Sequence, residues 1–222
     1  MQRSLLTIPL LVMAGLLLAS CAAVEEKPVA EEQPVTKTPV VSKKKKKSEP
    51  SHWEEEKLAR QGINKWEVRG RLGIQTETNG GTMDIIWKQA DDEYSIRLIA
   101  AMGAGTYLIQ GNDRFAEIRF PDGSKKTINN VDEVFSTALE LDLPISAVKD
   151  WVRGLPASSF SHGKIKWNKQ GLIDTIDQSG WHVEMKKYAG KKIQLPHDLH
   201  LTHRDDDELS IRFLFRQWLI DN

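Results

Sequence analysis

The sequence predicts a mainly β domain: an antiparallel sheet curled into a barrel, with short helices over one opening. Three observations predict it. Apolar and polar residues alternate in successive runs between residues 66 and 110 and again between 163 and 219. Short turns rich in Gly, Asn and Asp separate the runs. One helical stretch, between 131 and 153, interrupts them and has no partner sheet of its own, so it should plug or cover the barrel.

Before the domain comes an export signal. Arg3 supplies a positive start, residues 5–18 are apolar apart from Thr7, Pro9 and Gly15, and Ala19 and Ser20 lead to the lone cysteine, Cys21. A positive region, a short apolar core and small residues at the cut mark a cleaved leader, here 1–20. The core is too short to cross a bilayer comfortably, which takes ~20 apolar residues. Leu18-Ala19-Ser20-Cys21 resembles the bacterial lipobox, in which the thiol is acylated and the chain is cut just before it. With no second cysteine to pair with, lipidation at Cys21 gives the thiol a use. Two or more acyl chains hold a protein stably. Ala22 follows where an inner-membrane protein of the enterobacterial type often has Asp, so the outer membrane is expected.

Residues 21–50 read as a tether. Val, Pro, Glu, Lys and Thr dominate and no aromatic residue occurs, so the segment cannot bury enough apolar surface to fold. Pro28, Pro34, Pro39 and Pro50 keep it extended. Lys43, Lys44, Lys45, Lys46 and Lys47 form a basic run that reads as a solvated linker or as an anchor on anionic headgroups.

The folded domain is expected over 51–222. Ser51 and Glu54 have capping-box spacing for a short helix that stops at Gly62. Trp66, Val68, Gly70, Leu72 and Ile74 then alternate with Glu67, Arg69, Arg71 and Gly73, which is strand periodicity with one apolar face. Asn79-Gly80-Gly81 is a hairpin signal. Met83, Ile85 and Trp87 mark the return strand, and Tyr94, Ile96, Leu98 and Ala100 the next. The loop that follows, Ala101-Met102-Gly103-Ala104-Gly105, carries no charge and one large apolar side chain, either tucked into the core or exposed as an apolar finger. Strands at 106–110, 115–120 and 125–129 come next.

Val131, Val134, Phe135, Ala138, Leu139 and Leu141 form a stripe at helical spacing. Pro144 interrupts it, and a second helix over 146–153 ends at Gly154. Strands resume at 163–168, 172–177, 181–187, 199–203 and 209–219.

Little in this chain points to covalent chemistry. Lys and Arg number 31 and so do Asp and Glu, and this zero formal charge, with export, argues against nucleic acid as a partner. No nucleophile elbow, phosphate-binding loop or His-Glu-x-x-His occurs. His197, His200 and His203 fall on opposite faces of a strand and cannot converge on a metal. Asp205, Asp206, Asp207 and Glu208 lack the spacing of a calcium loop. The chain is not expected to be an enzyme or to carry a cofactor. Seven tryptophans are many for this length and either fill a core or line an apolar cavity.

Several segments resemble the LolB family, outer-membrane lipoproteins that receive other lipoproteins from the periplasmic carrier LolA. They are Trp66-Glu-Val-Arg-Gly-Arg-Leu-Gly-Ile74, Ile85-Ile-Trp-Lys-Gln89, Tyr94-Ser-Ile-Arg-Leu98, Met102-Gly-Ala-Gly105, Trp151-Val-Arg-Gly-Leu-Pro156, Gln178-Ser-Gly-Trp-His-Val183, Leu195-Pro-His-Asp-Leu-His-Leu201 and 209–218. They cover nearly all of 51–222, in the family's order. The resemblance implies an unclosed antiparallel barrel with a helical lid over a hydrophobic cavity. That cavity would hold the acyl chains of a passenger lipoprotein and release them to the inner leaflet of the outer membrane. A LolA-type carrier and passenger lipoproteins are the implied partners, and the chain is expected to act as a monomer. The family places a protruding leucine where Met102 stands, with proline common at the position of Ala101, so Met102 becomes the membrane-insertion residue. Strand alternation gives Leu72, Ile74, Ile85, Trp87, Ile96, Leu98, Tyr107 and Ile109 as inward-facing cavity candidates, with Trp151 from the lid. Two other readings are an envelope lipoprotein that binds free lipid or lipopolysaccharide, and a purely structural one with a filled core.

Overall fold

The computed structural model describes residues 49–221. The expected leader, the acylated Cys21 and the lysine run lie outside the described residues.

The domain opens with helix α1, Trp53–Gln61. Strands β1 (Lys65–Gln75), β2 (Gly80–Ala90), β3 (Glu93–Ala100), β4 (Thr106–Gly111), β5 (Ala116–Arg119) and β6 (Lys125–Ile128) follow. Helices α2 (Val134–Leu139) and α3 (Ile145–Trp151) come next. Strands β7 (His162–Trp167), β8 (Ile173–Gln178), β9 (Trp181–Lys186), β10 (Asp198–His203) and β11 (Ser210–Ile220) complete the chain. All eleven strands join one sheet in the order β6-β5-β4-β3-β2-β1-β11-β10-β9-β8-β7. Every pairing is antiparallel. The first and last strands meet at the centre, and β6 and β7 carry the two edges, so the barrel is not closed. The segment 129–161 runs from one edge strand to the other, and it holds both lid helices. The lid is therefore the covalent bridge across the gap that the sheet leaves open.

Alternation makes one face of this sheet apolar. β1 and β3 bury every second residue, with Trp66, Val68 and Leu72 inward on one and Tyr94, Ile96 and Leu98 on the other. The pairing of β1 with β11 shifts between Arg69 and Gly70. A Cβ on Gly70 would collide with the carbonyl oxygen of Leu214, so only glycine lets β11 come this close. Inward residues from both halves of the sheet join Val134, Phe135, Leu141, Val148, Trp151 and Val152 of the lid in a single core. Each large side chain so buried contributes roughly 1.5–3 kcal/mol.

The structure corrects three local expectations. α1 begins after His52, with no side-chain cap, so Ser51 and Glu54 do not form a capping box. The β1–β2 turn is 76–79, closed by the Thr76 N–H donating to Asn79 O at 2.8 Å, and Gly80 and Gly81 already belong to β2. Threonine takes over the turn chemistry: its hydroxyl accepts from the Asn79 N–H at 3.1 Å. The stripe from Val131 to Leu141 is not one helix. A 3-10 turn at Val131–Glu133 precedes α2, and Glu140, with φ of 59°, ends α2 in a left-handed conformation. α3 runs Ile145–Trp151 and stops at Gly154, as expected. Gly154 has φ of 77°, and the N–H groups of Gly154 and Leu155 donate to Trp151 O and Asp150 O at 2.9 and 3.1 Å. That 5→2 and 6→1 pair is a Schellman stop.

Candidate functional site

The inner face is built of cross-strand rows. Val68 on β1 sits opposite Trp87 on β2, which sits opposite Ile96 on β3, and the row continues through Ile109 to Ile118. A second row sets Ile85 beside Leu98 and Leu98 beside Tyr107. Leu72, Ile85, Trp87, Ile96, Leu98, Ile109 and Trp151 are all buried, while Ile74 and Tyr107 are partly exposed and pack against the same core. These nine residues lie in or against the core of the inner face. In this conformation they close on one another and on the lid.

The lid is held unequally at its two sides. Toward β8 and β9 most of its bonds are buried. The Trp151 indole N–H donates to Gln178 Oε1 at 3.0 Å, and the Ala157 N–H donates to the same oxygen at 2.8 Å. The Gln178 amide donates in turn to Ala157 O and Phe160 O, at 2.9 and 2.7 Å. One side-chain amide thus uses its full hydrogen-bonding capacity on the lid. The Trp181 indole adds a bond to Asp142 O at 3.2 Å. Toward the β4–β5 loop, Lys149 meets Asp113 at 3.2 Å, and the Asp113 side chain is 66% exposed. Arg153 pins the lid to the α1–β1 connection through Ile63 O at 3.2 Å, and its guanidinium is held by Asp150 of the lid itself.

Two clefts open along the lid margin, of about 310 and 420 Å³, and share Lys149, Asp150, Arg153 and Ser158. Their rims are charged, which suits a headgroup better than an acyl chain. The first cleft reaches Trp66 and Gln89 on the inner face. Sequence reasoning did not single out the first cleft, because its lining joins residues 61–91 to residues 149–158.

Met102 occupies the loop between β3 and β4. Its side chain is fully exposed, and its backbone is left-handed with φ of 55°. Gly103 and Gly105 have φ of 76° and 108°. A Cβ on Gly105 would collide with Pro121 of the neighbouring β5–β6 turn, so glycine lets these two loops stack. The Ala100 N–H donates to Gly105 O at 3.0 Å and closes the loop, leaving Met102 at its tip.

The histidines at 197, 200 and 203 have separate surroundings. His197 Nδ1 meets Phe215 O at 3.1 Å, and the His203 ring stacks edge-on against Trp181 at 5.0 Å.

A family model described as "Outer membrane lipoprotein LolB" matches residues 64–218. The chain belongs to the LolB family. Among curated relatives, an "Outer-membrane lipoprotein LolB" of Ectopseudomonas mendocina is 26% identical over 91% of each chain. That of Nitrosococcus oceani is 28% identical over 75% of this chain and 82% of its own. The fold is shared with a LolA superfamily protein of Nitrosomonas europaea, at a TM-score of 0.53 and 5% identity, covering 72% of this chain and 88% of the other. A protein of the DUF1329 family from Desulfovibrio piger also has a TM-score of 0.53, at 8% identity, covering 75% and 91%. The fold class is thus a large, unclosed antiparallel sheet of the LolA–LolB type.

Proposed function

We propose that this chain is a lipoprotein receptor and insertase, anchored in the outer membrane by acylated Cys21 with its domain in the periplasm. It accepts lipoproteins from a LolA-type carrier, holds their acyl chains between the sheet and the lid, and delivers them to the inner leaflet. The observation that carries the reading is the pairing of two features. A continuous apolar inner face lies under a bridging lid, and Met102, the most exposed large apolar side chain among the described residues, stands at a sheet end. No step of this work needs a bond made or broken. Burial of each acyl CH₂ is worth roughly 0.8 kcal/mol, so a small advantage per carbon moves a multi-chain passenger downhill from carrier to receptor to bilayer. The tether, 21–50, sets the reach of the domain from the membrane.

The test is transfer. A carrier–lipoprotein complex is mixed with this chain, and the passenger is followed by which protein it co-purifies with. The passenger is expected to move to this chain without nucleotide. If it stays on the carrier, the receptor reading fails.

A further inference from the structure

Four buried polar atoms on the inner face have no hydrogen-bond partner among the described residues: Trp66 Nε1, Trp87 Nε1, Tyr94 Oη and Gln89 Oε1. They are neighbours. Trp66 pairs across the sheet with Gln89, and Gln89 with Tyr94. Trp87 lies one row along on the same face, its ring 5.4 Å from that of Trp66. All four side chains are more than nine-tenths buried. Orphaned polar atoms are rare inside proteins, and each is destabilising unless something satisfies it. Four on adjoining positions are therefore a concentrated expense at one place in an otherwise apolar interior.

That place has an opening. Trp66 and Gln89 line the cleft of about 310 Å³ at the lid margin, whose rim carries Lys149, Asp150 and Arg153. Burial pushes the Tyr94 hydroxyl well above its ordinary pKa, aided by the charges of Asp113 and Asp132, so it stays protonated and able to donate. The site thus offers two indole N–H groups, one O–H and one amide oxygen: mostly donors, at the junction of a polar cleft and an apolar interior. The chemistry that fits is acceptor-rich and amphiphilic, with carbonyl oxygens at the root of long hydrocarbon chains.

We propose that Trp66, Trp87 and Tyr94 donate hydrogen bonds to the acyl carbonyl oxygens of a diacylglyceryl group, and that Gln89 Oε1 accepts from an adjacent ligand N–H. The acyl chains then run from these carbonyls along the row of Trp87, Ile96 and Ile109. This deepens the receptor reading and rests on it. It makes the cavity a reader of ester-linked lipid rather than a container for any hydrocarbon, and it gives the orphaned atoms a bound state in which they are paired.

Ester and ether lipids of equal chain length separate the two ideas. The probes are a short peptide whose N-terminal cysteine carries a dipalmitoylglyceryl thioether, and its dihexadecyl ether analogue, which lacks the carbonyls. Binding of each to the mature full-length chain is measured in detergent at a fixed concentration. The ester probe is expected to bind at least tenfold more tightly. Tyr94→Phe, which removes only the hydroxyl, is expected to lower ester affinity about three- to tenfold, to leave ether affinity unchanged, and to keep or raise the melting temperature, because an orphaned buried group is gone. Trp66→Phe is expected to narrow the ester preference in the same way. Equal binding of ester and ether probes overturns the donor site while leaving the receptor reading intact. So does a Tyr94→Phe chain with unchanged preference. Binding of neither probe overturns the receptor reading itself.

Discussion

Met102 is unfavourable to the folded state in two ways. A left-handed backbone costs a residue with a Cβ roughly 1–2 kcal/mol, and its side chain meets water on every side. The receptor reading uses this exposed apolar tip as the point of entry into the membrane. Because the side chain is fully exposed, Met102→Glu should shift stability by no more than about 0.5 kcal/mol. The variant is expected to take passenger from the carrier as the parent does, yet to release it poorly into liposomes, while Met102→Leu releases normally. Normal release by Met102→Glu, measured as passenger floating with the vesicles, would show that the loop is not the insertion device. The sequence made this residue visible as the one large apolar side chain in an uncharged loop. It left open whether the side chain points in or out, since a turn of five residues has no periodicity to read.

At the scale of elements, the β10–β11 pair shows how the outer face is held. Asp198 is buried at the start of β10. Arg212 on β11 grips both its oxygens at 2.8 Å, and Lys187 lies 2.9 Å away. The Arg212 hydrogen bonds hold the carboxyl below the usual carboxylate range, against the opposing effect of burial. A depressed folded-state pKa contributes stability that is fully present above the unfolded value and is lost as pH falls through the folded one. Asp198→Asn should therefore cost about 1–3 kcal/mol at neutral pH, a loss constant down to about pH 4. Below that the parent and variant curves should converge. Thermal melts from pH 7 to pH 3 check this, and a gap that widens on acidification would contradict it. Elements of this kind were legible where the pattern was local. α1, the eleven strands and the stop at Gly154 follow from alternation, Gly and Pro. The break inside 131–141 was hidden because Glu140 takes a left-handed conformation that its residue type does not advertise. The pairing of β1 with β11 was hidden too, since it joins residues from opposite ends of the domain and no sequence neighbour records it.

For the whole molecule, the receptor reading requires a route for lipid into a sealed interior. The sheet cannot part at its centre, where β1 bonds along its length to β2 and β11. The lid segment bridges β6 and β7, so the receptor reading has the lid move. Its two sides differ in strength. Gln178 makes four bonds to it on the β8 side, three of them buried, whereas on the other side the Lys149–Asp113 pair is exposed at Asp113 and worth no more than about 1 kcal/mol, and Arg153 adds a single buried bond to Ile63 O. The lid should swing about its β8–β9 attachment and lift first at the β4–β5 loop, beside the cleft lined by Asp113, Asp132 and Lys149. Lys149→Ala is then expected to speed entry of a fluorescent hydrophobic probe several-fold while lowering the melting temperature by only a degree or two. Gln178→Leu strands Trp151 Nε1, Ala157 N and two carbonyls in the interior, each at about 1–3 kcal/mol before relaxation. Amide exchange over 141–160 should accelerate in that variant well beyond exchange in β1, β2 and β3. Equal acceleration in lid and sheet would mean that the lid is an integral part of the core and opens only when the whole barrel does. Faster probe entry in Gln178→Leu with none in Lys149→Ala would place the hinge at the opposite side.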